Sequence, residues 1–193
     1  MNEPMAVHYH RSRLPQLTLA DSLGMSIPDT LTTTNPDAAA SFIAAGRTVV
    51  KPMTQVNVDF APAWEITSSD PLIGLTPVPH TFQRLIDKKA DLRVTVVGDQ
   101  VFAARITSDR LDWRAAPDAA TYELVELDDV TVHQLRDYMA AASLAFGAFD
   151  FAEDAEGRPW FLECNANGEW GWIEETTGAP IGEAIAEWLT LDL

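Results

Sequence analysis

The chain has 193 residues, enough for one domain or two small lobes with a real core. A hydrophobic content of 47% excludes a disordered chain, and no apolar run approaches the ~20 residues that span a bilayer. The net charge of −16 excludes a protein that grips nucleic acid or anionic membrane by bulk electrostatics.

In chain order, residues 1–15 are polar and read as a frayed tail. Gln16 to Leu23 has helical spacing and stops at Gly24. Ile27 to Leu31 reads as a short extended piece. Asn35 is a good N-cap with Pro36 at the first helical position, so a helix is expected from there to about Ala45, ending at Gly46. Thr48-Val49-Val50-Lys51 is a β-branched strand ending in a lysine. Residues 54–80 are loop-rich and are expected to form weak strands or a mobile flap. Phe82 to Ile86 reads as an extended hinge.

Leu92 to Val97 and Val101 to Ile106 read as two strands around Gly98-Asp99-Gln100. A three-residue turn there sets Arg93 and Arg105 face to face, which needs an anion between them; a two-residue turn breaks the pairing. Seven of the 13 basic residues (Arg84, Lys88, Lys89, Arg93, Arg105, Arg110, Arg114) fall in this central segment, suggesting a local polyphosphate site or a solvated strand face. Val130 to Phe146 reads as a long amphipathic helix ending at Gly147, with His133 at its surface. Pro180 to Leu191 reads as a final helix.

Between these helices lies the most informative segment. Gly147 to Ala152 and Phe161 to Asn165 form a hairpin whose turn is expected at Glu156-Gly157. Strand side chains alternate with period 2, so Glu163 and Asn165 share one face while Cys164, the single cysteine, points into the core. A symmetric two-residue turn sets Asp150 opposite Glu163. Like charges in that position need compensation. A hard divalent cation such as Mg²⁺, taking oxygen ligands and phosphates, supplies it; the other reading is a solvated hairpin face.

The order Lys51, the hinge Gln83-Arg84-Leu85-Ile86, Arg93, Arg105, Asp112-Trp113-Arg114, then Asp150, Glu163 and Asn165 resembles the ATP-grasp ligases. Closer still is the likeness to the microviridin-type (graspetide) peptide macrocyclases. It is carried by Lys88 to Val94, Asp112-Trp113-Arg114, and Phe161-Leu162-Glu163-Cys164-Asn165 continuing into Gly168 to Glu174.

The resemblance implies an α+β fold whose two lobes, residues 16–86 and 87–193, clamp ATP. It implies that residues 1–15 are the remnant of an N-terminal domain of roughly a hundred residues. Lys51 would reach the ATP phosphates, and Gln83, Arg84, Leu85 and Ile86 would line the adenine. Arg93, Arg105 and Arg114 would hold phosphate or acyl-phosphate oxygens; Asp150, Glu163 and Asn165 would bind Mg²⁺. The implied partner is a ribosomal precursor peptide with leader and core. A carboxylate of that peptide is activated as an acyl phosphate and closed into an ω-ester or ω-amide crosslink. Met1 to Arg13 lacks an apolar signal core, so a cytoplasmic protein is expected, and related enzymes suggest a homodimer. Another ATP-grasp carboxylate–amine ligase, or a degenerate module that binds nucleotide or leader peptide without catalysis, are the alternatives.

Overall fold

The computed structural model describes residues 1–51, 64–72 and 78–190. Two short helices, α1 (Pro4–Tyr9) and α2 (Arg13–Ser22), lead into the first sheet. That sheet contains β1 (Thr30–Thr33), β2 (Thr48–Lys51), β3 (Trp64–Ile66) and β4 (His80–Arg84), in the order β1-β4-β2-β3. Helix α3 (Pro36–Ala44) packs Ala39 and Ile43 against Val50 and Phe82. Its start is as the sequence predicts: Asn35 Oδ1 accepts from the N–H groups of Asp37 at 2.9 Å and Ala38 at 3.3 Å. Most of the expected weak strands or flap over 54–80 lies outside the described residues; β3 is the described strand within it.

The second sheet follows as β5 (Lys88–Val97), β6 (Gln100–Thr107), β7 (Thr121–Val125), β8 (Phe146–Asp154) and β9 (Pro159–Asn165), in the order β7-β6-β5-β8-β9. All its pairings are antiparallel. One face carries Val94, Val96, Phe149, Phe151, Phe161 and Cys164, which pack against α2 and α4 (Asp129–Ala141). The other carries Val97, Ala104, Phe146 and Ala148, covered by α5 (Gly171–Thr177) and α6 (Ile181–Thr190). Among the described residues no helix is long and apolar enough to cross a membrane.

Three expectations change here. Helix α4 ends at Ala141, not Phe146: Ser143 is left-handed (φ 54°) and the Leu144 N–H closes onto Met139 O at 2.9 Å. Gly147 therefore lies within β8, where a Cβ would meet Met139 Sδ at 2.9 Å. The N-terminal residues are not frayed. The Asn2 carboxamide donates to Phe146 O (2.7 Å) and Ala166 O (2.8 Å) and accepts from the N–H groups of Ala145 (2.7 Å) and Phe146 (2.9 Å). Helix α2, expected in the first lobe, shares the core of the second sheet through Leu17 and Ala20.

Candidate functional site

The site is built around the β8–β9 hairpin. Its loop is not the expected two-residue turn. Gly157 is left-handed (φ 83°), its N–H reaches Asp154 O at 3.0 Å, and the Asp154 N–H closes onto Arg158 O at 3.1 Å. The pairs then run Glu153↔Pro159, Ala152↔Trp160 and Phe151↔Phe161. Continued unbroken, that register would set Asp150 opposite Leu162. A bulge at Leu162 takes up one residue, and Asp150 pairs with Glu163 after all, with Ala148↔Asn165 beyond.

Guanidinium groups hold the two facing acids. Arg93 Nη1 donates to Asp150 Oδ1 at 2.9 Å, and Arg114 Nη2 to Asp150 Oδ2 at 2.7 Å. Arg13 Nη2 donates to Glu163 Oε2 at 2.6 Å. Burial pushes the Glu163 pKa up, but Arg13, Lys51 and Arg114 outweigh it and bring the carboxyl down to about 2.

Arg93 pairs with Asp150 across β5 and β8, is 7% exposed, and also donates from Nη2 to Glu169 O at 3.0 Å. Its buried Nε has no partner among the described residues. Arg114 sits on a 3₁₀ turn (Trp113–Ala115) capped by Asp112, whose Oδ1 accepts the Arg114 N–H at 3.1 Å. Trp113 anchors that turn against Trp172 and Tyr122, with ring centroids at 4.9 and 6.1 Å. Arg114 lies 5.1 Å over the Trp113 ring, so it both stacks and pairs with Asp150. Burial lowers the Arg114 pKa, but Asp150, Asp112 and Glu163 prevail and hold it above its usual value.

Lys51 approaches from the first sheet, and its Nζ donates to Gln83 Oε1 at 2.8 Å. Burial, with Arg13 adding repulsion, lowers its pKa to about 8 against the pull of Glu163 and Asp150. The strand-end lysine of one sheet therefore lies within the field of the hairpin acids of the other.

Other expected site residues are placed differently. The β5–β6 turn has two residues, so Val97 pairs with Gln100, Arg93 with Ala104 and Arg105 with Leu92. Arg93 and Arg105 therefore lie on opposite faces, so the expected face-to-face pairing does not form. Arg105 forks onto Glu153 at 2.7 and 2.8 Å and reaches Glu123 at 3.1 Å. Gln83 is buried in the first sheet, donating to Thr30 Oγ1 at 3.0 Å. The Arg84 N–H, expected at the adenine, donates to Asp29 O at 2.9 Å, and its guanidinium stacks 3.8 Å over Phe42. The Leu85 N–H donates to Arg47 O at 3.0 Å, and Ile86 O accepts from the Lys88 N–H at 2.9 Å. Asn165 is exposed on the hairpin's acid face, with Oδ1 accepting the Asn167 N–H at 2.9 Å. Asn167 is a turn residue.

Sequence reasoning missed Arg13 and Gln16. The Gln16 carboxamide substitutes for a further strand beside β9: it donates to Cys164 O at 2.9 Å and accepts the Cys164 N–H at 2.8 Å. The signal was the spacing of Arg13, Gln16, Leu17 and Ala20, one face of a helix. Among the described residues no group of three His, Cys, Asp or Glu side chains is placed to hold a metal. The hairpin instead offers two carboxylates and a carboxamide on one strand face, a set of hard oxygen donors that fits Mg²⁺.

No family model matches the chain, and neither does any curated protein. Solved structures do. The macrocyclase MdnC bound with precursor peptide MdnA, from Microcystis aeruginosa MRC, superposes with a TM-score of 0.85 at 34% identity. That match covers 96% of this chain and 62% of the macrocyclase. A RiPP-associated ATP-grasp ligase from Chryseobacterium gregarium, in complex with ADP and a leader and core peptide, gives 0.88 at 28%, covering 99% and 62%. The fold is ATP-grasp. A third ATP-grasp ligase, PsnB, complexed with minimal precursor, Mg and ADP, gives 0.78 at 27%, covering 96% and 60%. The present ATP-grasp chain thus spans about three fifths of the length of these relatives.

Proposed function

We propose that this chain is the ATP-binding part of an ADP-forming ligase that crosslinks a ribosomally made precursor peptide. The observation that carries the reading is the juxtaposition of Lys51, Arg93 and Arg114 with Asp150 and Glu163. This is a cluster of cations inside a chain of net charge −16, in an ATP-grasp fold. Phosphoryl transfer asks mainly for positioning and charge neutralisation, and these groups supply both.

In this reading Lys51 holds phosphate oxygens from the lobe of the first sheet. Arg93 and Arg114 hold them from the second (87–193), with Arg114 next to the incoming peptide carboxylate. The segment Arg84–Ile86 borders the adenine, while Gln83 orients Lys51. Asp150, Glu163 and Asn165 would hold Mg²⁺, which when bound neutralises and orients the phosphate oxygens. A carboxylate oxygen of the peptide attacks the γ-phosphorus and the β–γ bridge breaks, releasing ADP. A hydroxyl or amine of the same peptide then attacks the acyl carbon. The C–O bond to phosphate breaks and the nucleophile's proton is lost, giving an ω-ester or ω-amide. Holding both side chains in one site makes this second step effectively unimolecular. The reaction belongs in the cytoplasm, where ATP and new peptide meet.

The test is incubation with ATP, Mg²⁺ and the precursor peptide, followed by mass spectrometry. Each ring formed removes one water, about 18 mass units, by the condensation above. Absence of ADP binding by calorimetry in the presence of Mg²⁺ would remove the reading altogether. ADP formation without mass loss would leave the nucleotide site standing and remove the peptide.

A further inference from the structure

Asp150 and Glu163 are held in different ways. The partners of Asp150 are braced from behind, Arg93 by Glu169 O at 3.0 Å and Arg114 by its stack on Trp113. The partner of Glu163, Arg13, stands at the first residue of α2, a helix outside the sheet. One helical turn on, Gln16 grips the Cys164 backbone through two hydrogen bonds of 2.9 and 2.8 Å. Arg13 and Gln16 lie three residues apart on one helix face, while Glu163 and Cys164 are neighbours on β9. The Gln16 clamp thus fixes where Arg13 meets Glu163. The pair is largely withdrawn from water, with side-chain exposures of 13% and 25%.

A second observation concerns sign. Lys51, Arg13, Arg93 and Arg114 outnumber Asp150 and Glu163, even with Asp112 on the far side of Arg114 counted and Asp91 set against its partner Lys88. A bare divalent cation approaching Glu163 meets the like charges of Arg13, Lys51 and Arg114 and a carboxylate that already has a guanidinium. A polyphosphate reverses that balance, because it draws the cations to itself and brings negative charge of its own.

We propose that Arg13 is a built-in counter-cation that competes with a divalent metal for Glu163, so that metal enters the site together with a polyphosphate rather than ahead of it. The proposal rests on the reading of Asp150, Glu163 and Asn165 as the metal ligands. Arg13 acts here as a positioning residue, coupling the placement of α2 to metal loading on β9.

Mn²⁺ serves as the probe, with unbound ion counted by electron paramagnetic resonance on the full chain. The wild-type protein binds Mn²⁺ weakly alone and more tightly with ADP. Arg13→Gln tightens Mn²⁺ binding in the absence of nucleotide by about tenfold or more, as expected for removing one close like charge. ADP then adds less than it does in wild type. Arg11→Gln, at an exposed site on the same segment, leaves both affinities where they were. Adding Glu163→Gln to Arg13→Gln cancels the gain. If the Gln variant loses its helical signal, Arg13→Met, which keeps the apolar stem, carries the same expectation. Unchanged nucleotide-free affinity in the Arg13 variants, with ADP-supported binding intact, overturns the counter-cation and leaves the metal site standing. No Mn²⁺ binding with ADP in any protein overturns both.

Discussion

Gly168→Ala tests how tightly the site is assembled. Gly168 has no positive φ, so its role is space rather than conformation. An added Cβ would lie 2.4 Å from Ala148 Cβ, 2.9 Å from Arg93 Nη2 and 3.3 Å from Asn165 O. Carbon atoms rest at about 3.5–4.0 Å, so the first contact is short by more than 1 Å. Ala148 is fully buried in β8, paired on both sides by Thr95 and Asn165, and cannot yield, so the turn after β9 must back away. That withdraws Glu169 O from Arg93, which already has one buried N–H without a partner among the described residues. Overpacking costs about 1–3 kcal/mol, and a hydrogen bond to a charged group is worth about 1.5–3 kcal/mol. With partial relaxation we expect about 3 kcal/mol, or a fall in Tm of roughly 6–12 °C for a chain of this size. ADP affinity falls with it, because Arg93 is displaced. Gly171→Ala is the matched control: no heavy atom of the described residues lies within 4 Å of its Cβ, so its stability stays within about 0.5 kcal/mol of wild type. Thermal unfolding by circular dichroism and ADP titration calorimetry read both. Equal melting temperatures for the two variants would refute the close-approach argument.

Gln16→Leu leaves the buried Cys164 N–H and C=O without their clamp and is expected to cost about 2–4 kcal/mol in urea unfolding. A loss under about 1 kcal/mol would show that another group takes its place. Lys51 has a folded pKa of about 8 against 10.5 for the free side chain, set by burial and by Arg13. The unfolded chain therefore binds more protons in that window, so stability rises as pH climbs from about 8 to 10.5. Affinity for ADP without metal falls as pH passes about 8, and Lys51→Met flattens both profiles. Arg105→Gln removes the two-pronged partner of Glu153, whose side chain is 4% exposed, and leaves it Lys89 at 3.6 Å. Allowing for the 29% exposure of Arg105, we expect a loss of about 2–3 kcal/mol with ADP affinity unchanged. Loss of nucleotide binding in that variant would return Arg105 to the phosphate site.

Local rules carried the sequence reading where one element settles the outcome. Asn35-Pro36 fixes the start of α3 because the cap is made within three residues. Alternation puts Cys164 inside and Glu163 and Asn165 on the other face. Rules that hang on turn length were less secure. One residue in the β5–β6 turn decides which face Arg105 occupies, and nothing in Gly98-Asp99-Gln100 states that length outright. The apolar spacing of α4 runs on through Leu144 and Phe146, but the chain leaves the helix at Ser143, a residue whose left-handed turn leaves little mark in sequence. Arg13, Gln16 and Asn2 were illegible for a different reason. Each is a polar side chain whose partner lies more than 140 residues away, so its role exists only once the second sheet has formed.

The pairing of Asp150 with Glu163 shows how a correct expectation can stand on the wrong turn. Phe161 and Cys164 are three residues apart, so regular alternation would send them to opposite faces, yet both are buried in the same core with α2 and α4. An extra residue between them is the only way to seat both, and Leu162 is that residue. Moving the register by one at that point carries Glu163 to the place opposite Asp150. It also leaves the strand locally bent, the usual device for re-aiming a side chain beside a functional site. The core therefore demands the bulge, and the bulge sets the acid pair. The guanidinium groups of Arg13, Arg93 and Arg114 then make that pair tolerable in the folded chain.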